Sequence, residues 1–445
     1  ASDLASILQI GKLPATTQII QESVVGPSLG ADNIKRSLTA LVIGFLIVIG
    51  FMIFYYGGGG VVSVIALLLN LLFIFGALAS YGTVLTLPGF AGIILTIGMA
   101  VDANVIIFER IREELREGKS TMVAVADGFK NSYSAIIDAN VTTILTAFVL
   151  AYFGLGPIKG FAVVLIIGVL SSLFTAVLVG RLMIESWLDR KKAMSFSTSM
   201  SKNAFANLNI DWMSKRKIAY AISGTLIAIS IVSFAVRGFE LGVDFQGGYN
   251  YNIAFAENVE VDVDKLRESL TEAFEGDTPT VKEVAGENTY NVVTDYLINA
   301  VEQAGEPKPA ERVMAALHKG VTAATGITVS LDEFSNPEGI GTHVTSFSKV
   351  GPTIADDITR SAVYAAIFAL LLIFLYIFLR FSKWQYSLGA VAALFHDTLI
   401  VLGIFSIFHG LLGFSMEIDQ PFIAAILTVI GYSINDTVVV FDRIR

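Results

Sequence analysis

Two carboxylates, Asp102 and Asp436, stand inside segments apolar enough to cross a lipid bilayer, and the two segments repeat each other. Gly98-Met99-Ala100-Val101-Asp102-Ala103-Asn104-Val105-Ile106-Ile107-Phe108-Glu109-Arg110-Ile111-Arg112 returns as Gly431-Tyr432-Ser433-Ile434-Asn435-Asp436-Thr437-Val438-Val439-Val440-Phe441-Asp442-Arg443-Ile444-Arg445. An ionisable group at that depth costs ~2.5–3.5 kcal/mol on insertion scales, so a duplicated one points to ion or proton handling. Aligning the copies sets Asp102 against Asn435 and Asp436 against Ala103. The acid has moved by one residue, ~100° around a helix, so the halves are not chemically equivalent. Burial favours the neutral form of a carboxyl group and a nearby cation favours the charged form, which is the tuning a proton carrier needs. The plainer alternative is a hydrogen-bonded aspartate that fixes helix packing.

Other candidates are less specific. Asp138 lies in Ile136-Ile137-Asp138-Ala139-Asn140-Val141-Thr142-Thr143 and is expected near the start of the following helix. Asn140, Thr142 and Thr143 there can hydrogen-bond across helices. Asp138 reads equally as a relay group or as a first-turn acid or cap. His396 and Asp397 fall inside a later apolar span. Neighbours on a helix diverge by ~100° and need not pair, so a proton relay and a buried structural hydrogen bond both stay open. Glu109, Arg110, Arg112, Asp442, Arg443 and Arg445 read as snorkelling anchors and topology signals. Leu241-Gly242-Val243-Asp244-Phe245-Gln246-Gly247-Gly248 lacks the Lys-Ser/Thr of a phosphate loop and reads as a tight turn launching a domain. Gly57–Gly60 reads as a flexible link. No histidine–carboxylate set has metal-ligand spacing, and no Ser-His-Asp order stands out.

The elements that must carry these residues are membrane helices. The chain has 445 residues, 54% of them hydrophobic, and a mean hydropathy of +0.68. Several apolar runs exceed the ~20 residues a spanning helix needs. Spans are expected at 38–56, 61–81, 88–109, 133–153, 159–185, 218–236, 358–380, 385–411 and 420–442. Basic clusters follow the third, fifth, seventh and ninth: Arg110 to Lys119, Arg190 to Lys217, Arg380 with Lys383, and Arg443 with Arg445. Alternating crossings put all four on one side, the cytoplasm by the positive-inside rule. The N-terminus and the segment between Arg237 and Asp357, with 21 acidic against 8 basic residues, then face outward. There are no cysteines, which excludes disulfides and thiolate metal sites. No signal peptide is visible, and the N-terminus reads as the end of a soluble segment.

The duplication extends further. Val25-Gly26-Pro27-Ser28-Leu29 matches Val350-Gly351-Pro352-Thr353-Ile354, Asn70 matches Asp397, and Pro88 matches Pro421. Both copies enter the membrane in the same sense, giving two parallel, pseudo-symmetric helix repeats of a polytopic α-helical membrane protein, with a site expected between the halves. In the outward segment, strands are expected at Tyr249–Phe255, Thr289–Thr294 and Ile340–Val350, and helices at Val263–Phe274 and Ala310–Ala323. That succession suggests a small α+β ferredoxin-like domain, with loops over Ala256–Asp264 and Gly305–Pro309.

Leu13-Pro14, Val25-Gly26-Pro27-Ser28-Leu29-Gly30, Gly98 to Asn104, Asp138-Ala139-Asn140 with Thr142-Thr143, Val243 to Gly248, His396-Asp397 and Gly431 to Asp436 together resemble the SecDF family. These are bacterial protein-export membrane proteins of the resistance–nodulation–division superfamily. The resemblance covers almost the whole chain. It implies work beside the SecYEG channel and the SecA motor, with YajC and YidC as further partners, promoting late export of unfolded preproteins. The proton-motive force would supply the energy, with no cofactor and no nucleic acid. Asp102, Asp436, Asp138 and Asp397 would carry protons, supported by Asn104, Asn140, Thr142, Thr143, His396 and Asn435. The location implied is the bacterial inner membrane, with the small domain in the periplasm. On this reading residues 1–36 are a remnant of a first periplasmic domain, 37–185 a SecD-like five-helix repeat and 186–217 a cytoplasmic linker. Residues 218–236 are a first SecF-like helix, 237–357 the small periplasmic domain and 358–445 a three-helix SecF-like repeat. The resemblance implies that a first helix, most of a large first periplasmic domain and two last helices of the family are missing from this sequence. One of those last helices places a basic residue as a counter-charge for Asp436. An efflux transporter of the same superfamily is the alternative. An intramembrane aspartyl protease built on Asp102 and Asp436 would need a Gly-x-Gly-Asp context, which neither copy has.

Overall fold

The computed structural model describes residues 19–82, 85–204, 210–284, 288–301, 305–412 and 415–444. The Leu13-Pro14 motif and Arg445 lie outside them, as does part of the 1–36 segment. Tertiary contacts divide the chain into two compact units, one of the N-terminal segment to Gly30 with Gly242–Asp357, the other of Ala31–Leu241 with Ile358–Arg445.

Among the described residues, nine helices are long and apolar enough to cross a membrane. They are α1 (Pro27–Tyr56), α2 (Gly58–Tyr81), α3 (Leu87–Arg116), α4 (Thr121–Phe153) and α5 (Pro157–Asp189), then α6 (Arg216–Val236), α11 (Pro352–Phe381), α12 (Trp384–Phe408) and α13 (Gln420–Ile444). α3 starts cleanly because Thr86 accepts from the Gly89 amide at 3.2 Å and Pro88 occupies the first turn, where a missing N–H costs nothing. α4 begins at Thr121, with Ser120 at its N-cap, twelve residues before the apolar run that marks it in the sequence. Its first turns are polar, so hydropathy alone hides them.

The membrane unit has two apolar cores. One belongs to the first half and includes Met52, Ile74, Ile93, Ile107, Phe108 and Phe196. The other lies where the halves meet and joins Met99, Leu150 and Leu165 to Ile373, Leu427 and Ile434. Small residues set the close approaches. A Cβ on Gly168 of α5 would lie 2.3 Å from Thr96 of α3, and one on Gly431 of α13 would touch Thr146 of α4 at 3.5 Å.

Gly57–Gly60 is a docking platform rather than a flexible link. Gly57 turns the chain with φ +59°, and the bare face of Gly59 receives Phe196, to which a Cβ would come within 2.7 Å. The Gly59 amide donates to the Ser195 carbonyl at 2.9 Å, and Phe196 is fully buried. The linker after α5 is thereby pinned to the first half. Arg112 completes this seat instead of snorkelling. It is buried, donates to Glu109 and to the Ser201 carbonyl at 2.5 Å each, and lies 4.9 Å over the Tyr55 ring.

The other unit is built from α7 (Val243–Gln246), β2 (Gly248–Ala254), α8 (Val263–Ala273), β3 (Thr280–Val284), β4 (Thr289–Thr294), α9 (Pro309–Thr325), α10 (Leu331–Phe334) and β5 (His343–Val350), with β1 (Gln21–Val25) added from the N-terminal segment. The sheet is antiparallel with order β1-β5-β2-β4-β3. Without β1 this is the βαββαβ order of a ferredoxin-like domain. The sequence reading missed β1 and β3, both short and half-exposed. The glycine pair makes the expected turn, Gly247 at φ +75° and Gly248 at φ +137°, where a Cβ would meet the Thr294 carbonyl at 2.8 Å.

Candidate functional site

Asp102 sits at the middle of α3, and the side chain that meets it is Asn435, its own counterpart in the repeat. The Asn435 amide donates to Asp102 Oδ2 at 2.7 Å. Two repeat-equivalent positions in contact must lie close to the axis that relates the halves, so this pair marks the centre of the interface. The close approach of α4 and α13 at Gly431, where Thr143 Oγ1 lies 3.4 Å from the Gly431 carbonyl oxygen, holds α13 in place one turn away. A small cavity lies against the pair, lined by Met99, Ile106, Ile136, Asn140 and Thr143, with room for about one water molecule.

The other residues expected at the site divide. Asn140 and Thr143 line the cavity. Thr142 turns back to the Ala139 carbonyl at 2.7 Å. Asn104 bonds the Ala100 carbonyl at 3.1 Å and faces α5, where a π-helical turn over Phe174–Val179 brings Gly180 beside its amide. Asp436 is exposed, and no hydrogen bond or ion pair holds its carboxylate among the described residues.

Asp138 is not a cap. It lies deep inside α4, with its side chain 5% exposed. Tyr376 Oη donates to its Oδ1 at 2.7 Å and Arg380 Nε at 2.9 Å. Arg380, read from sequence as a topology charge, is therefore a cross-half counter-ion. Tyr376, Ser134 and Arg380 were all missed, because only the tertiary fold brings α4 and α11 together.

His396 and Asp397 form a separate chain of polar contacts. They do pair, Nδ1 to Oδ1 at 2.8 Å, despite their divergence along α12. His396 Nε2 meets Ser223 of α6, and Asp397 Oδ2 accepts from Ser433 of α13. Ser223–His396–Asp397 has the connectivity of a nucleophile triad, with Ser223 lying 173 positions before His396 and the arrangement invisible in the sequence order. Ser223 stands inside a continuous helix, where neighbouring amides are committed to the helical ladder, which leaves hydrolysis without an oxyanion site in that helix. This chain and the Asp102 pair share α13 but not a cavity.

At the end where the basic clusters lie, Arg110 pairs with Glu113 at 2.7 Å and Glu114 at 3.1 Å, and Arg443 of α13 reaches Glu113 at 2.7 Å. Arg110, Glu113 and Arg443, together with Glu109, Asn131 and Asp442, line a wide cleft between α3, α4 and α13. Ile106 borders both this cleft and the cavity at Asp102.

Comparison with known proteins fits this arrangement. Residues 9–190 and 332–445 match the family described as "Protein export membrane protein SecD/SecF, C-terminal", and residues 232–259 match the "SecD/SecF GG Motif". The protein translocase subunit SecDF of Brucella abortus is 33% identical over 100% of this chain and 54% of its own length. That of Bacillus subtilis is 34% identical over 100% of this chain and 58% of its own. A crystal structure of SecDF from Thermus thermophilus, described as a translocon-associated membrane protein, superposes with a TM-score of 0.81 at 34% identity, covering 100% of this chain and 56% of that one. SecDF in a super-membrane-facing form gives a TM-score of 0.68 at 32% identity, over 100% and 55%. The chain thus spans a little over half the length of the relatives it matches.

Proposed function

The chain belongs to the SecDF family of protein-export membrane proteins, and on that footing we propose that it works as an accessory of the Sec export machinery, driven by the proton-motive force. It is a multi-pass membrane protein. Its place on this reading is the bacterial inner membrane, with the ferredoxin-like domain in the periplasm and the basic end in the cytoplasm. Its partners are the SecYEG channel, SecA acting from the other side, YajC and YidC, and its substrate is an unfolded preprotein in late export.

The observation that carries the reading is the Asp102–Asn435 contact. A carboxylate sits on the axis between two parallel repeats, beside a cavity, with a polar cleft on the basic side. Protonation there changes a charge at the surface along which the halves must slide, so proton binding and movement share one interface. Asp436 stands by as a second acid, while Asp397 with His396 forms a further proton-accepting group on α12. Asp138, already neutralised by Arg380, supports the arrangement electrostatically. One charge crossing 100 mV supplies ~2.3 kcal/mol, enough to bias a repeated conformational step.

The test is preprotein export into inverted vesicles with and without a proton gradient. Asp102→Asn and Asp436→Asn in the full-length protein should each abolish the gradient-dependent part of export while the protein stays folded. Full stimulation in both variants would remove these carboxylates from the mechanism.

A further inference from the structure

The network around Asp138 joins the halves at a place the proton site does not use. Ser134 and Asp138 stand four residues apart on α4, and Tyr376 and Arg380 four apart on α11, so each pair shares one face of its helix. Arg380 Nε lies 2.9 Å from Asp138 Oδ1 and 2.7 Å from Oδ2. The guanidinium carries a second donor on the same side, Nη2. Its Nη2 donates to Ser134 Oγ and lies 3.6 Å from Asp442 Oδ1 on α13. Ser134 Oγ is itself 3.5 Å from that same oxygen. Arg380 therefore has two carboxylates within reach of its fork, one from the first half and one from its own half, held at unequal distances and bridged by a hydroxyl.

Arg380 stands at the end of its span with its side chain 25% exposed, but its partner Asp138 is 5% exposed, so separating the two without a new counter-charge leaves a buried charge unpaired. With Asp138 as sole partner, any separation of α4 from α11 would strand both charges. A second carboxylate already within 3.6 Å of the fork lowers that barrier. The planar guanidinium presents its donors in a fixed fork, a geometry that a lysine point charge does not reproduce. Asp442 also lines the cleft at the basic end, so a transfer of Arg380 toward it would couple to the width of that cleft.

We propose that Arg380 is a positioning residue with two alternative counter-ions, holding Asp138 of the first half in the state described here and passing to Asp442 of its own half when the halves part at the basic end. The inference deepens the reading given above, since it takes proton-driven movement of the halves as its premise.

The experiment compares Asp442→Asn, Asp442→Glu, Arg380→Lys and Asp102→Asn in the full-length protein. Each is scored for gradient-dependent stimulation of export in vesicles and for thermal unfolding of the purified protein. Asp442→Asn leaves the resting pair with Asp138 intact, so its unfolding temperature should match that of the unmodified protein while stimulation falls several-fold. Asp442→Glu should restore stimulation, and Arg380→Lys should lose it. Unaltered stimulation in Asp442→Asn would overturn the handover, as would losses of stability and stimulation in proportion, which a purely structural tie would produce. Asp102→Asn separates the two levels of the account. Lost stimulation there with none lost in Asp442→Asn defeats the handover alone, whereas full stimulation in both defeats the proton-driven reading with it.

Discussion

Asn435 donates its amide to the carboxylate that occupies its own place in the other repeat. That relation has a consequence for which half must supply the acid. Near the pseudo-symmetry axis the two positions face each other, so exchanging them keeps one carboxylate and one amide at the same spot. Asp102→Asn alone should abolish gradient-dependent export. Asp102→Asn combined with Asn435→Asp should recover a substantial part of it, measured in the same vesicle assay. No recovery in a folded double variant would show that the acid must project from α3. Asp102, Asp436 and their repeat were legible in the sequence because a charge in an apolar run is conspicuous. Arg380 was not, since an arginine at the end of a span has an adequate explanation in topology until its partner on another helix is seen.

At the scale of elements, the linker seat is held by one aromatic side chain. Phe196→Ala in a packed site costs about 3–5 kcal/mol in comparable cores, and here it should free the linker. Limited proteolysis should then cut between α5 and α6 much faster, with α3 unaffected; unchanged cleavage would mean that the Arg112 contacts suffice. In the ferredoxin-like domain, burial and then the neighbouring Asp295 hold the Asp277 carboxyl above the usual carboxylate range. A raised folded value stabilises the domain below the ordinary aspartate range, and that contribution fades as pH rises through the folded value. Asp277→Asn should flatten this pH dependence and leave the domain more stable at neutral pH, followed by hydrogen exchange of the β2 and β4 amides in the full chain. An identical pH profile in the variant would contradict it. Long apolar helices, β2, β4 and α8 were readable from their periodicity. The start of α4 was not, because its first turns are polar, and β3 is a five-residue strand whose role comes from pairing with β4.

For the whole molecule, the repeat in the sequence becomes a physical interface: α3 and α13 are equivalent helices, and their equivalent residues touch. The His396–Asp397 chain reaches α13 at Ser433 and the Arg380 network reaches it at Asp442, before and after Asn435 in the helix, and together they tie α6, α11 and α12 to the same interface. On the proposed mechanism the Asp102–Asn435 pair takes up and releases a proton. Infrared difference spectroscopy of the purified protein across a pH series reads this directly, through the C=O stretch of a protonated carboxyl group. A titrating band should be present that disappears in Asp102→Asn and changes its midpoint in Asn435→Ala. A spectrum in which every titrating carboxyl band survives Asp102→Asn would contradict the mechanism.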